Sequence, residues 1–251
     1  MSDIRREEVC IVACAEAFRG DGEILASPMG TIPMFGARLA RLTFEPELAM
    51  SDGVATLTGF SVGDDQKLRQ QAEGWIPYRT IFDIVWHGRR HVMMGASQLD
   101  RFGNQNISLV GSFERPKAQL IGARGAPGNT ICHKTSYWIP NHSPQVLVPT
   151  VDFVCGIGND RAAALGKAAR FHHLHRVVTN LCVFDFETDD GSLRLRSVHP
   201  GVSVDEVRGA TGFDISVAPD LAVSRAPTVA ESALIRQTLD PGGWAARELK
   251  A

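Results

Sequence analysis

The stretch SVHPGVSVDEVRGATGFD, residues 197–214, decides the reading of this chain. It follows LRLR (193–196), where apolar and charged side chains alternate as they do along a half-buried strand. Pro200 and Gly201 interrupt that alternation. Ser203 then stands three residues before Glu206, the capping-box spacing, so a short helix opens at Val204 and closes at Gly212. A strand, a tight turn and a helix within so few residues point to an α/β protein.

Working outward, the same local signals recur. Residues 4–18 read as a helix, with Ser2 or Asp3 as cap, Glu7 and Glu8 in the first turn, and Gly20 and Gly22 after it. Ile24 and Leu25 are strand-like, and a helical pattern starting at Pro33 carries Phe35, Leu39 and Leu42. LAMSDGVATL (48–57) reads as strand, turn, strand, with Ser51, Asp52 and Gly53 at the corner. YRTIFDIVW (78–86) looks helical and HVMMGAS (91–97) looks like a buried strand. Two loops follow, 98–106 and 122–129. VDFVCGIG (151–158) and RVVTNLCVFDFE (176–187) have the Val and Phe content of strands, the second interrupted by Asn180. Thr228 and Glu231 form a second capping box, opening a last helix that stops before Pro241. No repeat and no low-complexity linker appears, so residues 1–251 read as one α/β domain.

Composition narrows the classes of function. Lys and Arg number 26 against 28 Asp and Glu, a net charge of −2, which argues against a nucleic-acid footprint. No apolar run reaches the ~18 residues of a membrane helix. MSDIRREE has no apolar core of signal-peptide length, so a cytoplasmic location is expected. Five cysteines at irregular spacings, with no C-x-x-C, fit reduced thiols.

Three features could hold chemistry. GARGAPGN (122–129) spaces Gly122, Gly125 and Gly128 at i, i+3, i+6 around Arg124. This is neither a Walker loop nor a dinucleotide fingerprint, but successive backbone N–H groups in such a loop can hold an anion or an oxyanion. The alternative is a plain surface loop. GASQLDRFGNQN (95–106) crowds Gln98, Asp100, Asn104 and Asn106 around Gly103, either as a hairpin or as a cleft lining. HHLH (172–175) lacks nearby carboxylates until Asp185, so no metal site is expected there.

These segments together resemble the β subunits of family I CoA-transferases. The similarity runs through GASQLDRFGNQN, the glycine loop, VDFVCGIG, VVTNLCVFDFE and the closing HPGVSVDEV, in order, over most of residues 90–215. The resemblance implies an open mixed sheet with helices on both faces, in three α/β/α layers. It implies a homologous α subunit, in a heterodimer or α2β2 heterotetramer, with the active site at their interface. Coenzyme A enters as part of an acyl-CoA substrate, and no separate cofactor is implied.

In the family, a glutamate in a Glu-x-Gly turn attacks the thioester. Here the matching turn is Ser51-Asp52-Gly53, and Ser51 stands where the carboxylate belongs. An alcohol without an activating base cannot form the acyl anhydride. β-Subunit-like chains lacking this glutamate resemble one half of a hydrolase that opens a carbocyclic ring of a steroid-derived CoA thioester. That resemblance implies hydrolytic C–C cleavage, with the base on the partner subunit. The residues singled out in this chain are Ser51, Asp52 and Asn129 for catalysis, and Gln98, Asn104, Gly122, Arg124 and Gly125 for substrate. Competing readings are a true transferase using Asp52, a non-catalytic scaffold subunit and, against the closing motif, a sugar-phosphate isomerase or sensor.

Overall fold

The structure, a computed structural model, describes residues 4–51, 56–57 and 72–249. Its backbone divides into two compact units, Met1–Met94 with Arg225–Ala251, and Gly95–Ser224. The chain thus begins the first unit, leaves to build the second, and returns to finish the first.

In the first unit, α1 (Arg6–Ala17) is apolar almost all round, and Val9 through Ala15 are buried. A helix of this kind belongs in a core. Glu7 and Glu8 sit favourably in its first turn. Ser2 and Asp3 lie outside the described residues, and Arg5 holds the N-cap position without a side-chain bond. Helix α2 (Thr31–Thr43) packs tightly on α1 because Gly36 offers no Cβ; one built there would stand 2.6 Å from the Cys14 Cβ. Burial pushes the Cys10 thiol up to about 12, so it behaves as an apolar filler.

Strand β1 (Leu25–Pro28) is paired in parallel with β2 (Ala49–Met50) and with β5 (Arg90–Gly95). Two short strands, β3 (Thr56–Leu57) and β4 (Gly74–Trp75), precede α3 (Tyr78–His87).

The second unit starts with two antiparallel pairs. They are β6 (Gln98–Leu99) with β7 (Gln105–Asn106), and β8 (Leu109–Gly111) with β9 (Pro116–Gln119). Its main sheet is mixed. Strand β10 (Lys134–Ile139) runs parallel to β11 (His173–Thr179), which is antiparallel to β12 (Cys182–Asp185). Strand β13 (Arg194–Val198) is antiparallel to β12 and parallel to β14 (Ser216–Val223). Helices α4 (Ala126–Cys132), α5 (Asn159–Leu165) and α6 (Val204–Ala210) alternate with these strands. The architecture is the open mixed α/β sheet with helices that the sequence implied.

The first unit is completed by α7 (Val229–Leu234), continued by a π turn, and by α8 (Trp244–Glu248). Of the two expected capping boxes, one forms in full and one by its forward bond only. Ser203 accepts from the Glu206 N–H, and Thr228 and Glu231 make a full reciprocal box.

Two expectations are corrected. VDFVCGIG forms no strand: its backbone is irregular, joined to β7 by the backbone of Cys155 and Gly156 at Gln105. Gly158 packs so closely that a Cβ would meet the Phe102 carbonyl at 2.5 Å. The 122–129 segment is loop only to Gly125; Ala126 starts α4, with Pro127 in its first turn where no N–H is missed.

Candidate functional site

Ser51 directly follows β2, at the carboxyl end of a parallel pair, where open α/β sheets place their ligands. It is half-buried and bridges Leu57 in antiparallel fashion, so the chain does turn back at this corner. Asp52 lies outside the described residues.

The other singled-out residues fall in the second unit. The glycine loop is held in an uncommon shape. Gly122 has φ +87, and Arg124 has φ 53, the sole non-glycine residue in the left-handed region among those described. Gly125 follows at φ −83, ψ −1, and the Ala126 N–H closes a turn on the Ala123 carbonyl at 3.1 Å. These φ values are those of a type II′ turn, whose first corner normally takes glycine. Among the described residues, no protein acceptor receives the N–H groups of Ala123, Arg124 or Gly125. Such a turn, with successive N–H groups open, is nest-like: a concavity able to meet an anion.

Helix α4 anchors that loop. Asn129 is buried, its N–H bonded to the Gly125 carbonyl, while its own carbonyl accepts from the His133 N–H and the Thr135 hydroxyl. The Thr130 hydroxyl donates to the Ala126 carbonyl at 3.0 Å and accepts from the Ile157 N–H at 3.0 Å.

Gln98 and Asn104 belong to a buried polar frame. Asn104 Nδ2 donates to both Asp100 Oδ2 and Asp160 Oδ1 at 2.9 Å, and its Oδ1 accepts from the Gly158 N–H at 2.7 Å. Every polar atom of that amide is therefore engaged within the protein. Gln98 Oε1 accepts from Asn106 Nδ2 and from the Asp152 N–H, and its Nε2 donates to Asp152 Oδ2. Burial raises the Asp100 carboxyl against the lowering effect of its Asn104 bonds. The Gly111 N–H and the Gln98 amide hold Asp152 below the usual carboxylate range. Of the two readings left open for 98–106, the structure shows the hairpin, with Gly103 at φ +83. Its amides bind protein partners, a use that residue types alone did not reveal.

HHLH scatters. Among the described residues, no three His, Cys, Asp or Glu side chains gather as metal ligands. His172 instead reaches two oxygens, the Thr130 carbonyl at 2.6 Å and Asn159 Oδ1 at 2.9 Å. His142, missed by the sequence reading, is buried between the Thr179 and Thr211 hydroxyls, and burial pushes it down to about 4. Among the described residues, no helix is long and apolar enough to cross a membrane.

The family model for coenzyme A transferase matches residues 82–210. The chain is 49% identical over 249 residues to the cholesterol ring-cleaving hydrolase IpdB subunit of Rhodococcus jostii (strain RHA1), covering 99% of this chain and 98% of that protein. It is 47% identical over 251 residues to the same-named subunit of Mycobacterium tuberculosis (strain ATCC 25618 / H37Rv), with 98% and 99% covered. The crystal structure of Rhodococcus jostii RHA1 IpdAB contains a chain that superposes with a TM-score of 0.93 over 100% of both chains, at 49% identity. With the open mixed sheet, the nest-like glycine loop and the HPGVSVDEV turn all in place, the chain belongs to the coenzyme A transferase family.

Proposed function

We propose that this chain is the β-type subunit of a heteromeric hydrolase that opens a carbocyclic ring of a steroid-derived acyl-CoA thioester. The single observation that supports it most is full-length similarity, at 49%, to a cholesterol ring-cleaving hydrolase subunit. The serine at position 51, where transferases of this family place a glutamate, favours water over a carboxylate as the acceptor. The partner is a homologous α subunit, and the cytoplasm is the compartment, in keeping with free thiols and a CoA-bound substrate.

The chemistry is a C–C bond hydrolysis. Water adds to a ring carbonyl of a 1,3-dicarbonyl system while a base, assigned to a carboxylate of the α subunit, takes its proton. The ring C–C bond then breaks. One fragment end becomes a carboxylate; the electron pair passes to the other as an enolate and is protonated on carbon. Both the tetrahedral oxyanion and the enolate gain from fixed N–H donors in a site that excludes water. The N–H groups of Ala123, Arg124 and Gly125 offer those donors, Gly122 gives the loop its shape, and Arg124 adds a cation. Asn129 anchors that loop, Gln98 and Asn104 brace the polar frame of the same unit, and Ser51 takes the position at which the transferases carry their nucleophile.

The test is made on the chain co-expressed with its α subunit. Ring-opened product should accumulate with cyclic CoA thioester and water alone, and Arg124→Ala should cut kcat/KM by roughly tenfold or more, the scale of one lost charged contact. Ser51→Glu should bring in exchange of CoA with a free carboxylate. Exchange already present before that change, and abolished by Asp52→Asn, would establish the transferase reading instead. Unchanged turnover in Arg124→Ala within an intact complex would leave only the scaffold.

A further inference from the structure

The surroundings of His172 contain one proton fewer than a neutral imidazole needs. Its Nδ1 faces the Thr130 carbonyl at 2.6 Å, and a carbonyl can only accept. Its Nε2 faces Asn159 Oδ1 at 2.9 Å. The orientation of that amide is fixed from its far end, because Asn159 Nδ2 donates to the Gly191 carbonyl at 2.7 Å. Turning the amide would set oxygen against oxygen. The run Thr130 carbonyl, His172, Asn159, Gly191 carbonyl therefore has acceptors at both ends and requires hydrogens on both ring nitrogens. His142 is the contrast. The Thr211 hydroxyl gives its proton to the Val207 carbonyl, so it accepts from Nε2; the Thr179 hydroxyl lies nearer to Nδ1, at 3.0 Å, than to its other acceptor, the Cys182 carbonyl at 3.3 Å, and by donating to the ring it lets one neutral tautomer satisfy the site.

From this geometry we infer that His172 is an imidazolium clasp, a positioning residue that ties α4 to the start of α5 and the turn at Gly191 while it is protonated. Each segment it joins is otherwise short: α4 and α5 have seven residues apiece. Thr130 lies one residue beyond Asn129, so the clasp fixes the helix from which the glycine loop hangs. The clasp itself needs no assumption about the reaction; its service to the loop rests on the function proposed above.

Other charges are accounted for. Helix α4 contributes Cys132, whose thiol burial raises. Helix α5 contributes Asp160, bonded to Asn104, and Arg161. Lys167 and Arg170 lie on the turn before the ring, His173 and His175 on β11 after it. The 188–191 turn contributes Asp189 and Asp190, the latter bonded to Thr188 and Ser192. Burial is the larger influence and pushes the ring below the usual histidine range, against the upward pull of the Thr130 carbonyl. The second acceptor, Asn159, adds to the upward pull.

The sign follows. The clasp requires that the two acceptors outweigh burial; a histidine so raised contributes stability that is complete below the ordinary ~6.5 of an unfolded chain and is lost as pH rises through the folded value. The experiment is a long-range proton–nitrogen NMR titration of the full chain labelled with 15N-histidine, with His172→Gln identifying the signal. At pH 7 both ring nitrogens should carry protons. Asn159→Ala should lower the midpoint tenfold or more in proton concentration, and Asn159→Asp should raise it. Amide exchange across Asn129–Cys132 should quicken above the midpoint, and lose that pH dependence in His172→Gln. A bare nitrogen on His172 at pH 7, or the same midpoint in Asn159→Ala, overturns the clasp whether or not the complex hydrolyses a ring. Conversely, a confirmed clasp in a chain without ring-opening activity would count against the proposed reaction alone.

Discussion

Arg124 occupies a backbone conformation that costs an L-residue about 1 kcal/mol, in a turn whose first corner suits glycine. Such strain persists where surroundings over-determine it, often at functional positions. Arg124→Gly should therefore keep the turn and remove only the guanidinium. The relief of strain and the extra freedom of glycine in the unfolded chain are of similar size, about 1 kcal/mol each and opposite in sign. The expected outcome is a thermal midpoint within a few degrees of the parent, measured by calorimetry, with kcat/KM of the assembled enzyme down by roughly tenfold. A large fall in the midpoint would mean that the side chain, not the turn, holds this loop. At this scale the sequence was informative about shape and less so about use. The glycine spacing exposed the loop, whereas the corner read at Ser51, Asp52 and Gly53 lies outside the described residues after Ser51. That Asn104 spends its whole amide on Asp100, Asp160 and Gly158 depends on residues more than fifty positions away, which local reading does not reach.

Among elements, VDFVCGIG is the instructive failure. Val and Phe in quick succession suit a strand, yet Gly156 and Gly158 are there for close backbone approach. Gly156 takes the backbone of Gln105 on both sides, while Gly158 leaves no room before Phe102. Gly158→Ala should accordingly destabilise by about 3 kcal/mol or prevent folding, because the obstruction is backbone and cannot rotate away. Urea unfolding would register it, and a variant as stable as the parent would show that the 100–104 hairpin yields easily. Strand β10, KTSYWI, went unread for the opposite reason. Thr135 and Ser136 are fully buried, so a polar-looking stretch conceals a core strand. Helices with capping boxes were legible because both partners of each device lie within four residues.

For the molecule as a whole, the decisive ties run between its two terminal segments. Glu8 on α1 is buried and paired with the Arg236 guanidinium, and it accepts from the Ser232 hydroxyl. Arg225 joins Glu16 to Glu231, holding Glu231 down at about 2. Glu248 accepts from the Ile32 N–H at 2.9 Å. These ties close the first unit. Arg236→Ala should then cost about 3 kcal/mol, since it leaves a buried carboxylate without its cation. Limited proteolysis should release the segment after Arg225 sooner than in the parent. Equal rates would place the closure elsewhere. Apart from Arg225 with Glu231, none of these ties was open to local reading, for each links residues over two hundred positions apart.

The order in which this chain is made gives that arrangement a cost during birth. Helix α1, apolar on nearly every side, leaves the ribosome long before Arg225, Glu231 and Arg236 have been translated. At the usual ~5–20 residues per second, the wait is on the order of ten seconds. Throughout it, Glu8 waits for Arg236 and Glu16 for Arg225, while α1 leans on α2, the neighbour made soon after it.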